Sequence, residues 1–349
     1  MKTLIDSVVS KELSELPQYT AKDFKSSIDV RWCPGCGNYS ILSQVQKAIA
    51  DMGIPKEKFA FISGIGCSSR FPYYMDVYGF HGIHGRALPV ASGLKIARPD
   101  LSVWVATGDG DCMSIGGNHF IHACRRNVDM NVLMFNNEIY SLTKGQYSPT
   151  SRVGQRTKSS PLGVLDDPFN PTSLALGSGA GFVARGYDKD TKTMKYLFER
   201  AEKHTGLAFV EIYTDCVIFN EGSFNEFTRR ETKFDTTIHV QHGKPLLFGE
   251  KDSKGIKLDG FRPVVVDLTD GKNSVDDVLV HDETDSTLAF ILSDMTYNDS
   301  LPRPIGVIHA NVRASYNDKV DAQIAYEQEK KGKPDLMKLL KGENSWVVE

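Results

Sequence analysis

Two groups of residues in this sequence have types and spacing that could do chemistry. The first is a C-x-x-C, Cys33 and Cys36, in "RWCPGCGNYSIL", flanked by proline and two glycines. Sulfurs at this spacing can hold each other, a zinc ion or an iron–sulfur cluster, and the spacing alone does not choose. The other cysteines are Cys67, Cys112, Cys124 and Cys216. The second group is "GDGD", residues 108–111, which follows the apolar run "LSVWVAT", together with Asn136 and Asn137 closing the next apolar run, "NVLMFNN". Asp109 offers a carboxylate and the asparagines offer amide oxygens. With a free backbone carbonyl and phosphate oxygens, such donors make an octahedral site suited to Mg²⁺. Gly108 and Gly110 would let the backbone turn tightly and approach a phosphate closely.

Those residues need elements to position them, and the pattern around them is α/β. In "YSILSQVQKAIADMG", Ile41, Val45, Ala48, Ile49 and Met52 share one helical face, with Gly53 as a stop. "FAFIS", "LSVWVAT", "NVLMFNN", "FVARGY" and "LAFVEIY" read as buried strands. "ALPVASGLKIAR", "GGNHFIHACRRN", "TSLALGSGA" and "TKTMKYLFERAEKH" read as the helices between them. Strands alternating with helices predict parallel pairing through right-handed crossovers. The expected fold class is α/β, a doubly wound, mostly parallel sheet with helices on both faces. In such a sheet ligands collect at the carboxyl ends of the strands, where GDGD and the asparagine pair both fall. The alternation fades after about Cys216. Residues 1–28 read as an N-terminal arm, 29–220 as the chemistry-bearing domain, and 221–349 as a C-terminal extension packing on the core or on a partner subunit.

The 349 residues suffice for a substantial core, and 40% hydrophobic with 24% charged residues is ordinary for a globular chain. A net charge of −3 gives no strong pull toward nucleic acid or a membrane surface. The N-terminal "MKTLIDSVVSKELSEL" mixes charges into its apolar residues and lacks the apolar stretch of a signal peptide. A cytoplasmic protein is expected. Thiols stay reduced there, and a chain this large needs no disulfide framework, so metal or redox duty is the better reading of the C-x-x-C.

The GDG and NN elements resemble a thiamine diphosphate fingerprint. With "GIGCSSRFP", "HGIHGRALPVASGLK", "TGDGD" and "LTKGQYSPTS", residues 30–220 resemble the β subunit of the 2-oxoacid:ferredoxin oxidoreductases. The resemblance implies Mg²⁺ ligands at Asp109, Asn137 and the main-chain oxygen of Ile139, and diphosphate contacts at Gly110 and Asp111. It places Ile65, Gly66, Cys67, Ser68, His84, Gly85, Ser141 and Leu142 along the thiamine diphosphate. It implies a [4Fe–4S] cluster on Cys33, Cys36, Cys67 and Cys216, and leaves Cys112 and Cys124 as structural residues. Zinc on the same four thiols, in a binding protein without catalysis, is the competing reading, and a non-redox thiamine decarboxylase or transferase is a second. The glutamate that activates thiamine belongs in the family to a separate pyrimidine-binding domain. This sequence shows no second such domain, and Glu138 lies inside the metal turn. The resemblance therefore implies an α (or fused γ–α) subunit in an α₂β₂ heterotetramer, coenzyme A as co-substrate and ferredoxin as electron acceptor.

Substrate choice is the finest expectation. Arg70 follows Cys67 closely in "GIGCSSR", and its planar guanidinium suits a carboxylate. Leu142 resembles a pocket wall, and His84 is a further candidate beside the reacting atoms. A cation at Arg70 favours 2-oxoglutarate over pyruvate, with a pyruvate or broad 2-oxoacid enzyme as the alternative.

Overall fold

The computed structural model describes residues 18–348. Most of the expected N-terminal arm, residues 1–17, lies outside them. Eight strands form the main sheet: β1 (Phe59–Ser63), β2 (Tyr78–His81), β3 (Ser102–Gly108), β4 (Met130–Asn136), β5 (Phe182–Tyr187), β6 (Leu207–Tyr213), β7 (Thr237–Val240) and β11 (Arg303–Ala310), in the order β2-β1-β3-β4-β6-β5-β11-β7. Every neighbouring pair is parallel except β11 with β5. A small antiparallel sheet joins β8 (Leu247–Phe248), β9 (Lys254–Asp259) and β10 (Arg262–Asp267).

Helices cover both faces, and the strand residues alternate between two cores. Phe59 and Phe61 meet α1 (Asn38–Asp51) and α6 (Thr191–Glu202) on one side. Ala60 and Ile62 belong to the core on the other face, which α2 (Ala87–Ala97), α4 (Gly117–Arg126), α5 (Pro171–Gly177) and α7 (Ser286–Asp294) cover. The central β4 and β6 are buried at every position, as strands covered on both faces must be. Caps fix the helix starts: Asp190 accepts from the Thr193 amide at 3.1 Å and Asn170 from that of Ser173 at 3.2 Å.

The expected helices and strands up to Tyr213 are present. The sheet extends further than the periodicity indicated. β2 is a four-residue edge strand whose Tyr78 and Phe80 are exposed, so no buried run announces it. Residues 221–349 do more than pack on the core: β7 and β11 are strands of the main sheet itself. β11 enters antiparallel to β5, without the strand–helix–strand unit that marks parallel neighbours.

One ion pair ties the sheet to its carboxyl end. Arg185 on β5 and Glu211 on β6 are fully buried cross-strand partners, with Nε–Oε2 at 2.8 Å. Thr296 and Thr172 satisfy the other guanidinium nitrogens, and the second Glu211 oxygen accepts from Asn136 Nδ2 at 2.8 Å. Removing one partner of such a pair leaves a charge buried without compensation. Arg185→Leu should lower unfolding free energy by about 3–5 kcal/mol in urea titrations. Adding Glu211→Gln, which keeps a polar partner for Asn136 and removes the charge, should recover a large part of the loss.

Candidate functional site

The carboxyl ends of β3 and β4 build the first half of the site. Gly108 is extended (φ −91°, ψ 166°) and caps the short helix α3 (Asp109–Met113). Neither Gly108 nor Gly110 has a positive φ, so a strained turn is not what requires glycine here. At Gly110 the requirement is close approach: a Cβ would be driven into the ring of Tyr140, whose hydroxyl donates to the Gly110 carbonyl at 3.1 Å.

Asp109 is 3% exposed. Its Oδ2 accepts from Ser148 Oγ at 2.6 Å and Thr150 Oγ1 at 2.7 Å. Burial pushes this carboxyl up and the two hydroxyls oppose the shift. After β4 the chain passes through Glu138 at φ 54°. The carbonyl of Asn137 accepts from Asn220 Nδ2 at 2.9 Å, and that of Glu138 from Ser151 Oγ at 2.5 Å. The carbonyl of Ile139 takes no hydrogen bond among the described residues. The turn therefore engages two carbonyls and leaves the third for a ligand. Asp109, Asn137 and Ile139 line one cleft, with Asn137 Oδ1 also accepting from the Ile139 amide at 3.3 Å; a carboxylate, an amide oxygen and a free carbonyl are hard donors that fit a divalent cation completed by phosphate and water.

Asp111 has another task. Its buried Oδ1 accepts from the amides of Ile65 (3.0 Å) and Gly85 (2.7 Å) and meets His84 Nδ1 at 2.7 Å, while Oδ2 accepts from Thr107 Oγ1 at 2.7 Å. The carboxylate thus joins the segments at Ile65, at His84–Gly85 and at the end of β3. Gly64 is dictated by this contact, because a Cβ there would collide with the Asp111 carboxylate. The cleft, with a cavity volume of about 200 Å³, is lined by Ile65, Gly66, Cys67, Ser68, His84, Asp109, Gly110, Asp111, Asn137, Ile139, Ser141 and Leu142.

A second cavity of about 220 Å³ is lined by Cys33, Cys36, Cys67 and Cys216. Arg31, Arg70 and Lys144 bring cations to its wall, and Trp32 donates its indole N–H to the Cys67 carbonyl at 2.6 Å. Arg70 lines this cavity and not the cleft around Asp109. Among the described residues no three Cys, His, Asp or Glu side chains converge closely enough to hold a single metal ion. Tetrahedral zinc would draw its sulfurs to within about 3.8 Å of one another. The four cysteines around one cavity are thiolate donors of the kind that hold either a zinc ion or an iron–sulfur cluster. Burial pushes the Cys36 thiol up to about 12, and the neighbouring sulfurs add to the shift. Burial also raises the Cys67 thiol, against the pull of Arg70 and a hydrogen bond from Ser141. Cys112 and Cys124 are buried in the core away from this cavity.

The two cavities adjoin. Asn38, Cys67, Asn137, Ser141 and Leu142 line both. Several residues of this site carried no assignment in the sequence. Ser148 and Thr150 lie within the quoted "LTKGQYSPTS", and Lys144 in the same stretch takes a positive φ of 78°. Asp188 accepts from the Asp215 amide at 3.1 Å, beside Cys216, and Ser40 donates to its carbonyl at 2.6 Å. Nothing local in the sequence marks the aspartate just after β5 as a brace between α1 and the segment of Cys216.

Residues 64–212 match the family model described as "Thiamine pyrophosphate enzyme, C-terminal TPP binding domain". The chain is 48% identical over 332 residues to 2-oxoglutarate oxidoreductase subunit KorB of Mycobacterium tuberculosis, covering 94% of this chain and 88% of that one. It is 46% identical over 207 residues to the 2-oxoacid:ferredoxin oxidoreductase subunit beta of Saccharolobus solfataricus, covering 58% and 68%. The chain belongs to the β subunits of the 2-oxoacid:ferredoxin oxidoreductase family. A solved 2-oxoglutarate:ferredoxin oxidoreductase from Magnetococcus marinus, with 2-oxoglutarate, coenzyme A and succinyl-CoA bound, superposes at a TM-score of 0.74 and 34% identity over 93% of this chain and 96% of that one. The mostly parallel sheet is thus the thiamine pyrophosphate-binding fold of an oxidoreductase β subunit. Among the described residues no helix is long and apolar enough to cross a membrane.

In this β subunit the Asp111 carboxylate should govern local order at the cleft. Asp111→Ala leaves the Ile65 and Gly85 amides without their acceptor, at a cost of about 1–3 kcal/mol per buried group. Hydrogen exchange should show lost protection at both amides, while the amides of β4 and β6 keep theirs.

Proposed function

We propose that this chain is the β subunit of a 2-oxoglutarate:ferredoxin oxidoreductase. The reaction converts 2-oxoglutarate, coenzyme A and two oxidised ferredoxins into succinyl-CoA, CO₂ and two reduced ferredoxins, and it runs in reverse when ferredoxin is sufficiently reducing. The observation that carries the reading is the shared wall between a diphosphate-type cleft and a cavity ringed by four cysteines. A non-redox thiamine enzyme has no use for the second cavity, and a zinc-stapled protein has none for the first.

Thiamine diphosphate supplies the carbanion chemistry when bound, with Mg²⁺ anchoring its diphosphate. Asp109, Asn137 and the Ile139 carbonyl would hold the metal, and the amides of Gly110 and Asp111 would face the diphosphate. Ser148 and Thr150 hold Asp109 with one oxygen toward the cleft. The Asp111 contact fixes the His84 ring at the cleft wall. Cys33, Cys36, Cys67 and Cys216 would hold a [4Fe–4S] cluster, the one-electron acceptor that ferredoxin chemistry requires.

The substrate reading has two supports. The relatives whose names specify a substrate include 2-oxoglutarate enzymes from Mycobacterium and Archaeoglobus. Arg70 and Lys144 place cations beside the shared wall, where a distal carboxylate can meet them. The α subunit completes the site in an α₂β₂ assembly, supplying the activating glutamate and the coenzyme A contacts. Its landing surface on this chain is the apolar rim of the cleft, where Ile65, Ile83, Ile115 and Leu142 are exposed. The complex works in the cytoplasm with a separate ferredoxin.

The αβ complex, purified anaerobically and assayed against a panel of 2-oxoacids, tests the whole reading. Substantial turnover with 2-oxoglutarate and brown colour with stoichiometric iron are expected. Colourless protein with stoichiometric zinc would overturn it. Cys216→Ser should lower iron content, and Asp109→Ala should abolish thiamine diphosphate retention in a folded chain.

Arg70→Ile separates substrates. Loss of one charge-assisted contact costs about 1.5–3 kcal/mol. KM for 2-oxoglutarate should therefore rise roughly ten- to a hundredfold more than KM for pyruvate. Equal effects on both would assign Arg70 to the cysteine cavity alone.

A further inference from the structure

The loop that carries Cys216 is fastened to the turn after β4 by one side chain, that of Asn220. All of its polar groups are engaged. The Asn220 amide N–H donates to the Cys216 carbonyl at 3.0 Å, which closes the loop on itself. The Asn220 carbonyl accepts from Ser223 Oγ at 2.8 Å. Across to the turn, Asn220 Nδ2 donates to the Asn137 carbonyl at 2.9 Å, and Oδ1 accepts from Gln155 Nε2 at 3.1 Å. Gln155 Nε2 also reaches the Glu138 carbonyl at 3.4 Å. Two successive carbonyls of the turn are therefore tied to the Cys216 loop, one directly and one through Gln155.

The loop is stiff enough to transmit this tie. Asp215 Oδ1 accepts from the Gly222 amide at 2.9 Å, and the Asp215 amide donates to Asp188 Oδ2 at 3.1 Å. The Phe219 ring lies where a Cβ on Gly145 (φ 97°) would fall, so the segment after Leu142 packs on it. The turn, for its part, needs holding. Glu138 takes a left-handed φ of 54°, between Asn137 and Ile139. Freeing the Asn137 carbonyl would let the peptide between Asn137 and Glu138 rotate, and the Asn137 side chain and the Ile139 carbonyl would move with it.

We infer that Asn220 is a positioning residue that joins the Cys216 loop and the turn after β4 into one unit, so that filling either site steadies the other. The inference rests on the cluster and metal assignments proposed above. Neither bound group needs to touch Asn220. Whatever restrains Cys216 restrains the loop, and through Asn220 the carbonyl of Asn137. Whatever restrains Asn137 and Ile139 restrains the turn, and through Asn220 the backbone of Cys216. Such coupling is reciprocal: each site tightens retention at the other by the same factor.

Asn220→Asp is the variant that isolates the tie. It keeps the size of the side chain, the backbone bond to Cys216 and an acceptor for Gln155, and it replaces the donor to Asn137 with an oxygen. In the anaerobic αβ complex, wild-type protein should release iron to a chelator roughly two- to tenfold more slowly with Mg²⁺ and thiamine diphosphate bound, the value of one neutral hydrogen bond. Asn220→Asp should bind the diphosphate more weakly by a similar factor and release iron at one rate, loaded or not. Ser223→Ala, which removes a bond inside the loop and leaves the tie in place, should behave as wild type. Hydrogen exchange in the unloaded complex reads the tie directly. The amides of Ile139 and Asn220 should both lose protection in Asn220→Asp, while those of β4 and β6 keep theirs. A wild-type loading effect in Asn220→Asp, no loading effect in the wild type, or the same losses in Ser223→Ala would overturn the inference. Should Asn220→Asp not fold, Gln155→Met, which withdraws the amide that orients Asn220, should shrink the loading effect, and a full effect there would overturn it. Wild-type complex without iron removes the cluster assignment instead. The exchange result then decides the tie by itself, and retained protection at Ile139 in Asn220→Asp would overturn it.

Discussion

A carboxylate that cannot reach water, Asp111, organises the site. Its two oxygens gather the amides of Ile65 and Gly85, the His84 ring and the Thr107 hydroxyl. Burying a charge without partners is costly, so the surrounding segments must adopt paths that bring donors to it. Those paths do more than satisfy the carboxylate. The segment pinned at Ile65 runs directly into Cys67, so the sulfur's position in the wall between the cavities follows from the contact two residues earlier. The segment pinned at Gly85 delivers His84 and then opens α2. Gly64 follows from the same constraint, as the residue that leaves room for the carboxylate.

Residues beyond the doubly wound core support this arrangement at a distance. Glu138, inside the turn after β4 and 6% exposed, meets Arg152 at 3.3 Å, and Arg152 also pairs with Glu226 at 2.8 Å. Arg303, at the start of β11, reaches Glu226 at 3.5 Å and lies over the Phe227 ring at 4.1 Å. Burial raises the Glu138 carboxyl to about 7, and the two arginines oppose the shift. The left-handed backbone at Glu138 is uncommon for a residue with a side chain, and it persists where the surroundings over-determine it. Here those surroundings include β11 and the segment after β6. The C-terminal part of the chain is thus joined to the chemistry through charge as well as through the sheet.

This explains what could and could not be read from the sequence. The core strands were legible because β4 and β6 are buried on both faces and appear as unbroken apolar runs. GDG and NN stood out together as carboxylate and amide oxygens at the ends of neighbouring strands; the structure brings Asp109 and Asn137 to one cleft, while Asn136 turns to Glu211 and Thr150. Cys67 and Cys216 joined Cys33 and Cys36 only through family resemblance, since nothing local links residues so far apart. The bracing groups were hidden for the opposite reason. Ser148, Thr150 and Asp188 are ordinary polar residues whose roles exist only once distant segments meet. β2 and β11 were missed because a four-residue exposed edge and an antiparallel insertion break the alternation that marks the fold.

The cations around the cysteine cavity make the last connection. The chain as a whole is slightly negative, yet Arg31, Arg70 and Lys144 all line this one cavity, with Asp215 as the single carboxylate among its lining residues. Thiolates at Cys36 and Cys67 need nearby positive charge, because burial drives both thiols toward the neutral form. Arg70 lines the cysteine cavity, which shares a wall with the cleft. On the proposed function, the charge that eases thiolate formation would also be available to a carboxylate-bearing substrate. Metal binding and substrate selection would then draw on one set of cations, and a change at Arg70 would act on both sites at once unless a second substrate, lacking the distal carboxylate, is used to separate them.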